Sequence, residues 1–209
     1  VHPARDRMNR RPHTYVGIST PQPPSVPMSP PASSSGERPI RPDTASAVLD
    51  VAQELAQQRG FHGFSYRDIA EAIGTTTTAV HYHFRSKDDL GAALVGRYAR
   101  DFDAALATID ASGADAFHAL EAYRSLYQQV IDGSRLCLCG MLAAESETLP
   151  ETTRHALAAF FDANVDWLTR VLARGGDDGT LVTTTAGHDA AETIVAGLEG
   201  AMLLAWNRK

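Results

Sequence analysis

Proline divides this chain more sharply than any other residue. Ten of its eleven prolines lie at or before Pro42, and only Pro150 comes later. Proline fixes φ, lacks a backbone N–H and interrupts both helices and sheet ladders. Residues 1–42 therefore read as a disordered Pro/Ser-rich tail, with polyproline II character in Thr20–Pro31. Residues 43–209 carry almost no such interruption and are open to long helices.

Their apolar residues recur at helical spacing. Val48, Leu49, Ala52, Leu55 and Ala56 mark a helix capped by Asp43 or Thr44 and ending at Arg59, with Gly60 as a left-handed stop. Ser65, with Asp68 three residues on, opens a second helix whose stripe is Ile69, Ala70 and Ile73. Gly74 closes it. A short helix follows over about Thr77–Phe84. Ser86, paired with Asp89, caps a fourth that carries Leu90, Leu94, Tyr98 and Phe102 to about Ile109. Further helices are expected over Asp115–Asp132, Leu136–Glu147, Pro150–Arg174 and Ala186–Trp206, with a break at residues 175–179. Leu181–Thr185 is the one β-leaning stretch, too short for a sheet. There is no internal repeat, and the expected class is all-α.

Composition removes several functions. The longest apolar run, Leu136–Ala144, is half of the roughly 18 residues that a membrane span needs. The first residues carry arginines without an apolar stretch, so they do not read as a secretion signal. Two cysteines, Cys137 and Cys139, do not make a disulfide scaffold, and a cytoplasmic setting is expected. No Cys/His cluster has zinc spacing, and no nucleophile elbow, phosphate-binding loop or paired-carboxylate arrangement appears, so neither metal, cofactor nor enzyme chemistry is expected. The net charge is -6, and it is uneven: net +3 over residues 1–40, zero over 41–100, net -9 over 101–209. A general polyanion binder would be basic overall. Any nucleic-acid contact must be local and set apart from the acidic C-terminal half.

The local candidate is residues 65–84. A helix as short as Thr77–Phe84 does not persist alone in water and has to pack on its neighbours. Val80 and Phe84, four apart, suit that inner face. Thr77, Thr78, His81 and Tyr82 are left outside: short hydroxyls and aromatic donors rather than a Lys/Glu mixture. Helix, glycine turn and short polar-faced helix form the pattern of a helix-turn-helix, whose second helix enters a major groove. Threonine hydroxyls donate to phosphates or bases, and their methyls touch thymine. Lys87 follows at a position suited to a phosphate, with Arg67 and Arg85 as further candidates. The same pattern also suits a plain three-helix packing unit with Thr75–Thr78 as turn and cap residues. His81 and His83 point roughly 200° apart on a helix and cannot share a metal ion.

Over Thr44–Val95 the sequence resembles the TetR family of transcriptional regulators. The resemblance is carried by Ala52, Gly60-Phe61, Ser65, Arg67-Asp68-Ile69-Ala70, Gly74, His83-Phe84, Ser86-Lys87 and Asp89-Leu90, in order. His81 stands where the family often has Tyr, and Thr77 where it often has a basic residue. Contacts from hydroxyls and from flanking cations should weigh correspondingly more. The resemblance implies a DNA-binding domain over residues 43–102 and an effector-binding and dimerisation domain over 103–209. It implies operator contacts from Ser65, Arg67, Thr75, Thr76, Thr77, Thr78, His81, Tyr82, His83 and Lys87. It implies an effector pocket among Tyr98, Phe102, Tyr123, Tyr127, Cys137, Met141, Phe160 and Trp167. It also implies a homodimer through Phe161, Val165, Leu168, Leu172, Ile194, Leu198, Ala201, Met202 and Ala205. The implied function is a repressor released from a palindromic double-stranded DNA operator by a small molecule. A symmetric dimer sets its recognition helices about 34–36 Å apart, one DNA turn. Two other readings stand beside it: an interaction module of this fold that has lost DNA binding, and a thiol or electrophile sensor using Cys137 or Cys139. Two apart on one helix, those thiols would diverge too far to bond each other.

Overall fold

A computed structural model describes residues 43–182 and 187–208; the tail reading for residues 1–42 and most of the β-leaning stretch at 181–185 lie outside the described residues. Within them the chain is all-helical, in eight helices and two short 3₁₀ turns. The helices are α1 (Thr44–Arg59), α2 (Tyr66–Ile73), α3 (Thr77–His83), α4 (Lys87–Ala111), α5 (Ala116–Asp132), α6 (Leu138–Ala144), α7 (Glu151–Asp177) and α8 (Gly187–Trp206). No described helix is long and apolar enough to cross a membrane.

Side-chain caps fix the helix starts. Asp43 accepts the Ala45 N–H, and Asp115 that of His118. Ser65 and Ser86 each form a capping box with an aspartate three residues later. Gly74, at φ 68° and ψ 37°, closes α2 in the left-handed conformation. The Thr75 N–H then reaches back to Ala70 O at 2.9 Å, satisfying an end carbonyl. Gly60 also has positive φ, 78°, but its ψ of 165° is extended, so it turns the chain outward instead of winding a left-handed stop. That corrects the cap expected there.

The first three helices pack on one another and on the start of α4. Val48, Ala52, Ile69, Val80 and Leu90 are fully buried where they meet. Burying one such aliphatic side chain contributes about 1.5–3 kcal/mol. The seven-residue α3 is held this way, through Val80 and Phe84. Helix α4 runs on without a break across residue 102, so the domain boundary expected there falls inside a helix. It packs on α5, α6 and α7, and α8 closes the bundle against α5 and α7.

Two helix bounds differ from the sequence expectation. Of the stretch 136–147 only Leu138–Ala144 is helix α6: Cys137 is its N-cap, and a 3₁₀ turn over Ser146–Thr148 follows. Helix α7 continues through Gly175 and Gly176 to Asp177. Glycine weakens a helix by about 1 kcal/mol, but here packing requires it. A Cβ on Gly175 would lie 2.5 Å from Leu181 Cδ1 and 2.7 Å from Ala116 Cβ. The expected break at residues 175–179 is therefore confined to its last residues.

Candidate nucleic-acid interface and interior cluster

The exposed face of α3 presents Thr77, Thr78, His81, Tyr82 and His83. Tyr82 is 82% exposed, an unusual place for a large ring with nothing to cover it. Its edge contacts His83, with ring centroids 5.3 Å apart. His81 lies against Tyr66 at 4.6 Å, and its Nδ1 is 3.4 Å from Arg85 O. Tyr66 in turn donates its hydroxyl to Ser86 O at 2.5 Å, tying α2 to the start of α4. Burial, with Asp89 and Asp88 nearby, pushes the Tyr66 hydroxyl up to about 12, so it stays a donor. The exposed face of α3 is thus fixed from behind.

Other residues expected at DNA have structural duties. The Thr76 hydroxyl caps α3 by accepting the Ala79 N–H at 3.2 Å. The Ser65 hydroxyl accepts from Asp68 N and donates to the Asp68 carboxylate. These bonds, Ser65's side chain first, hold that carboxyl below its usual range. Thr75 is half-buried. Arg67 is exposed and paired with Glu71 at 2.8 Å. Lys87 turns inward: its ammonium donates to Phe64 O and lies over the rings of Phe64 (4.2 Å) and Phe61 (5.1 Å). Burial lowers its pKa. Its place in sequence suited a phosphate; its side chain instead fastens the loop before α2 to α4. Arg85 is exposed, with no ion pair among the described residues.

The residues expected in an effector pocket do come together. Phe102 is the hub, with ring centroids 6.4 Å from Tyr98, 6.0 Å from Tyr123, 6.2 Å from Tyr127 and 5.3 Å from Phe160. Tyr123 stacks on Trp167 at 5.5 Å, and the Trp167 Nε1 donates to Asp110 at 3.0 Å. Met141 packs half-buried against the core. The Tyr98 hydroxyl donates to Cys137 Sγ at 3.7 Å. Between α5 and α8 a groove of about 300 Å³ is lined by Arg124, Tyr127, Gln128, Ile131, Leu198, Ala201, Met202 and Ala205. Tyr127 belongs to both the groove and the aromatic cluster.

Periodicity missed the polar groups inside this cluster. Asn164 is 1% exposed, accepts the Tyr123 hydroxyl at 2.9 Å and donates to Phe160 O. Glu199 turns inward from α8 with Oε1 buried and without a hydrogen-bond partner. Burial raises its pKa, partly offset by the Cys137 thiol lying against it. The one available signal was Gly140, where a Cβ would overlap the Glu199 carboxylate.

The two cysteines are buried, and desolvation pushes both thiols up. A reactive thiol needs the reverse, so a thiol sensor is not favoured. Because Cys137 is the cap of α6 rather than part of it, the expected divergence of the two along one helix does not apply.

Three residues expected at a dimer interface belong to the chain's own core: Leu168, Leu172 and Met202, at 0%, 6% and 4% exposure. Helix α7 is packed by α4, α5, α6 and α8, so its apolar stripe is used within the chain. Phe161, Val165, Ile194, Leu198 and Ala205 are half-buried, and Ala201 is exposed. Leu203 and Leu204, not expected there, are 52% and 61% exposed. A Cβ at Gly197 or Gly200 would meet open space.

This arrangement, a braced polar-faced helix after a glycine turn and a helical bundle with an aromatic interior, coincides with known proteins. Residues 48–94 match the family model for bacterial regulatory proteins of the tetR family. A TetR-family transcriptional regulator from Agrobacterium tumefaciens is 36% identical in its crystal structure, with TM-score 0.74, over 77% of this chain and 86% of its own. A TetR regulator from Legionella pneumophila is 30% identical, with TM-score 0.74, over 81% of this chain and 90% of its own. The HTH-type transcriptional repressor DhaR of Mycobacterium sp. (strain GP1) is 23% identical over 157 residues, 75% of this chain and 79% of its own. The chain belongs to the TetR family and is a DNA-binding transcriptional regulator.

Proposed function

We propose that this regulator is a repressor that binds a palindromic operator as a homodimer and is released by a small molecule held in the interior cluster. Residues 43–102 read DNA, and residues 103–209 bind the effector and the second subunit. The observation that carries the reading is the α3 surface: a seven-residue helix braced through Val80, Phe84 and Tyr66, with Thr77, Thr78, His81 and Tyr82 turned to solvent. Thr77, Thr78 and Tyr82 make the base or phosphate contacts. Arg67 and Arg85 supply the cations, Arg67 by exchanging Glu71 for a phosphate. Ser65, Thr75, Thr76 and Lys87 hold the shape of the domain.

The effector reaches the cluster through the groove between α5 and α8, where Arg124 and Gln128 form the polar edge of an otherwise apolar lining. The subunit contact uses the outward face of Phe161, Val165, Gly197 and Leu204. Repression is supported by the relative DhaR, a repressor of matching length. The chemistry is binding rather than turnover, and the setting is cytoplasmic.

Selection of genomic DNA fragments by the purified protein, followed by sequencing, tests this reading. One enriched inverted repeat is expected, with affinity falling steeply as salt rises. The change Tyr82→Ala should leave stability within about 0.5 kcal/mol, as an exposed site does, and weaken the selected site by about 1–3 kcal/mol. A folded dimer that enriches no sequence would move the reading to a protein-interaction module.

A further inference from the structure

We propose that the interior cluster takes a cationic amphiphile: an ammonium or amidinium group on an apolar or aromatic body, with the cation seated on the Glu199 carboxylate. The proposal rests on the reading of this cluster as the effector site and names the chemical class that the site selects.

The hydrogen bonds inside the cluster decide the sign. Tyr98 donates its hydroxyl to Cys137 Sγ, Tyr123 donates to Asn164 Oδ1 at 2.9 Å, and the Trp167 indole donates to Asp110. A tyrosine has one hydroxyl proton. With that of Tyr123 spent on Asn164, the 3.2 Å contact between the Tyr123 and Tyr127 oxygens is made by the Tyr127 proton. These donors are all committed. The atom left over is an acceptor, Glu199 Oε1, buried and without a partner. Three other buried polar atoms share that condition among the described residues: Gln57 Oε1, Arg97 Nε and Thr153 Oγ1. Of their side chains only Arg97 is charged, and its guanidinium already holds Asp50 at 2.6 Å. Glu199 is the one of the four that carries a charge without a counter-ion.

Its surroundings do not supply one. The titratable groups that feel its charge are Tyr98 on α4, Tyr123 and Tyr127 on α5, and Cys137 and Cys139 at the start of α6. Burial pushes every one of them up, so all stay neutral. Helix α7 turns Asn164, Phe160 and Trp167 to the cluster, and none of these titrates. The basic side chain of the groove, Arg124, pairs with Glu121 at 3.4 Å and is half-exposed. A buried carboxylate is costly unless it is paired. A ligand cation supplies the pair, and the aromatic rings of the cluster suit the same charge. A carboxylate or phosphate ligand would bring a second negative charge instead.

The route is short. The groove of about 300 Å³ has Tyr127 on its α5 wall and Leu198, Ala201 and Met202 on its α8 wall. Glu199 lies about 60° around α8 from Met202. Met202 is 4% exposed, and an unbranched thioether repacks readily. Moving it aside joins the groove to the carboxylate.

Three probes sharing one aromatic body test the charge: 3-phenylpropylamine, 3-phenylpropanol and 3-phenylpropionate, titrated calorimetrically into the full chain without DNA. At pH 7 the amine should bind at least about tenfold more tightly than the other two, the smallest usual contribution of a hydrogen bond to a charged group. Its affinity should rise with pH above the ordinary carboxylate value of 4.5, as Glu199 ionises. Glu199→Gln should bind amine and alcohol alike, without that rise, and its retained alcohol binding would show that the site is intact. A preference for the carboxylate overturns the proposal. So does an amine preference that survives Glu199→Gln, or the failure of all three probes to bind at millimolar concentration. An amine that binds through Glu199 but does not release the selected operator leaves the ligand class standing and sinks the effector reading. A protein that selects no DNA sinks the operator reading alone.

Discussion

At the scale of single residues, neighbours rather than residue type assign the duties. Lys87 stands where a phosphate contact was expected, yet two aromatic rings and a carbonyl draw its ammonium inward. Thr76 and Thr77 are adjacent and alike, yet one hydroxyl caps the start of α3 and the other residue is simply exposed. Glu199 shows what burial costs. Its raised pKa means that folding disfavours the ionised form, so the cost appears only above the ordinary carboxylate value of 4.5 and grows with pH toward the raised value. Glu199→Gln should therefore unfold at higher urea than wild type at pH 7. The advantage should vanish near pH 4, where both forms are neutral. An equal advantage at both pH values would mean that packing, and not charge, sets the difference.

At the scale of elements, helix starts were legible because capping chemistry is local: a serine and an aspartate three residues apart suffice. Helix ends were less so. Glycine marks a stop where its φ turns positive, as at Gly74; at Gly175 the chain stays helical, and the glycine answers to packing because a Cβ would run into Leu181 and Ala116. Gly74→Ala isolates the backbone effect, because a Cβ there meets nothing within 4 Å. It should destabilise the protein by about 1–2 kcal/mol. Removing a cap, as in Ser86→Ala, should cost about 0.5–2 kcal/mol. Both are read from chemical denaturation midpoints at unchanged slope. A Gly74→Ala midpoint equal to wild type would show that the turn relaxes out of the left-handed region.

At the scale of the whole molecule, two leucines separate core from outer surface. Leu168 is fully buried and Leu204 is 61% exposed. Leu168→Ala should cost about 2–5 kcal/mol of stability. Leu204→Lys should leave the fold intact and shift sedimentation from dimer toward monomer at low concentration. A dimer unaffected by Leu204→Lys would place the subunit contact elsewhere on the bundle.

The sequence by itself determined the helical class, the order of the helices, the serine caps of α2 and α4 and the polar face of α3, because each depends on spacing within a few turns of one chain. It also placed Tyr98 and Phe102 on the inward stripe of α4. Only the tertiary structure decided which of two apolar faces on α7 and α8 is core, that Lys87 points inward, that Glu199 turns into the bundle, and that the Glu145 carboxylate accepts the Phe61 N–H. A carboxylate 84 residues from the N–H it accepts leaves no periodic trace in the sequence. Burial and pairing between distant elements are properties of packing, and they exist only once the helices have been brought together.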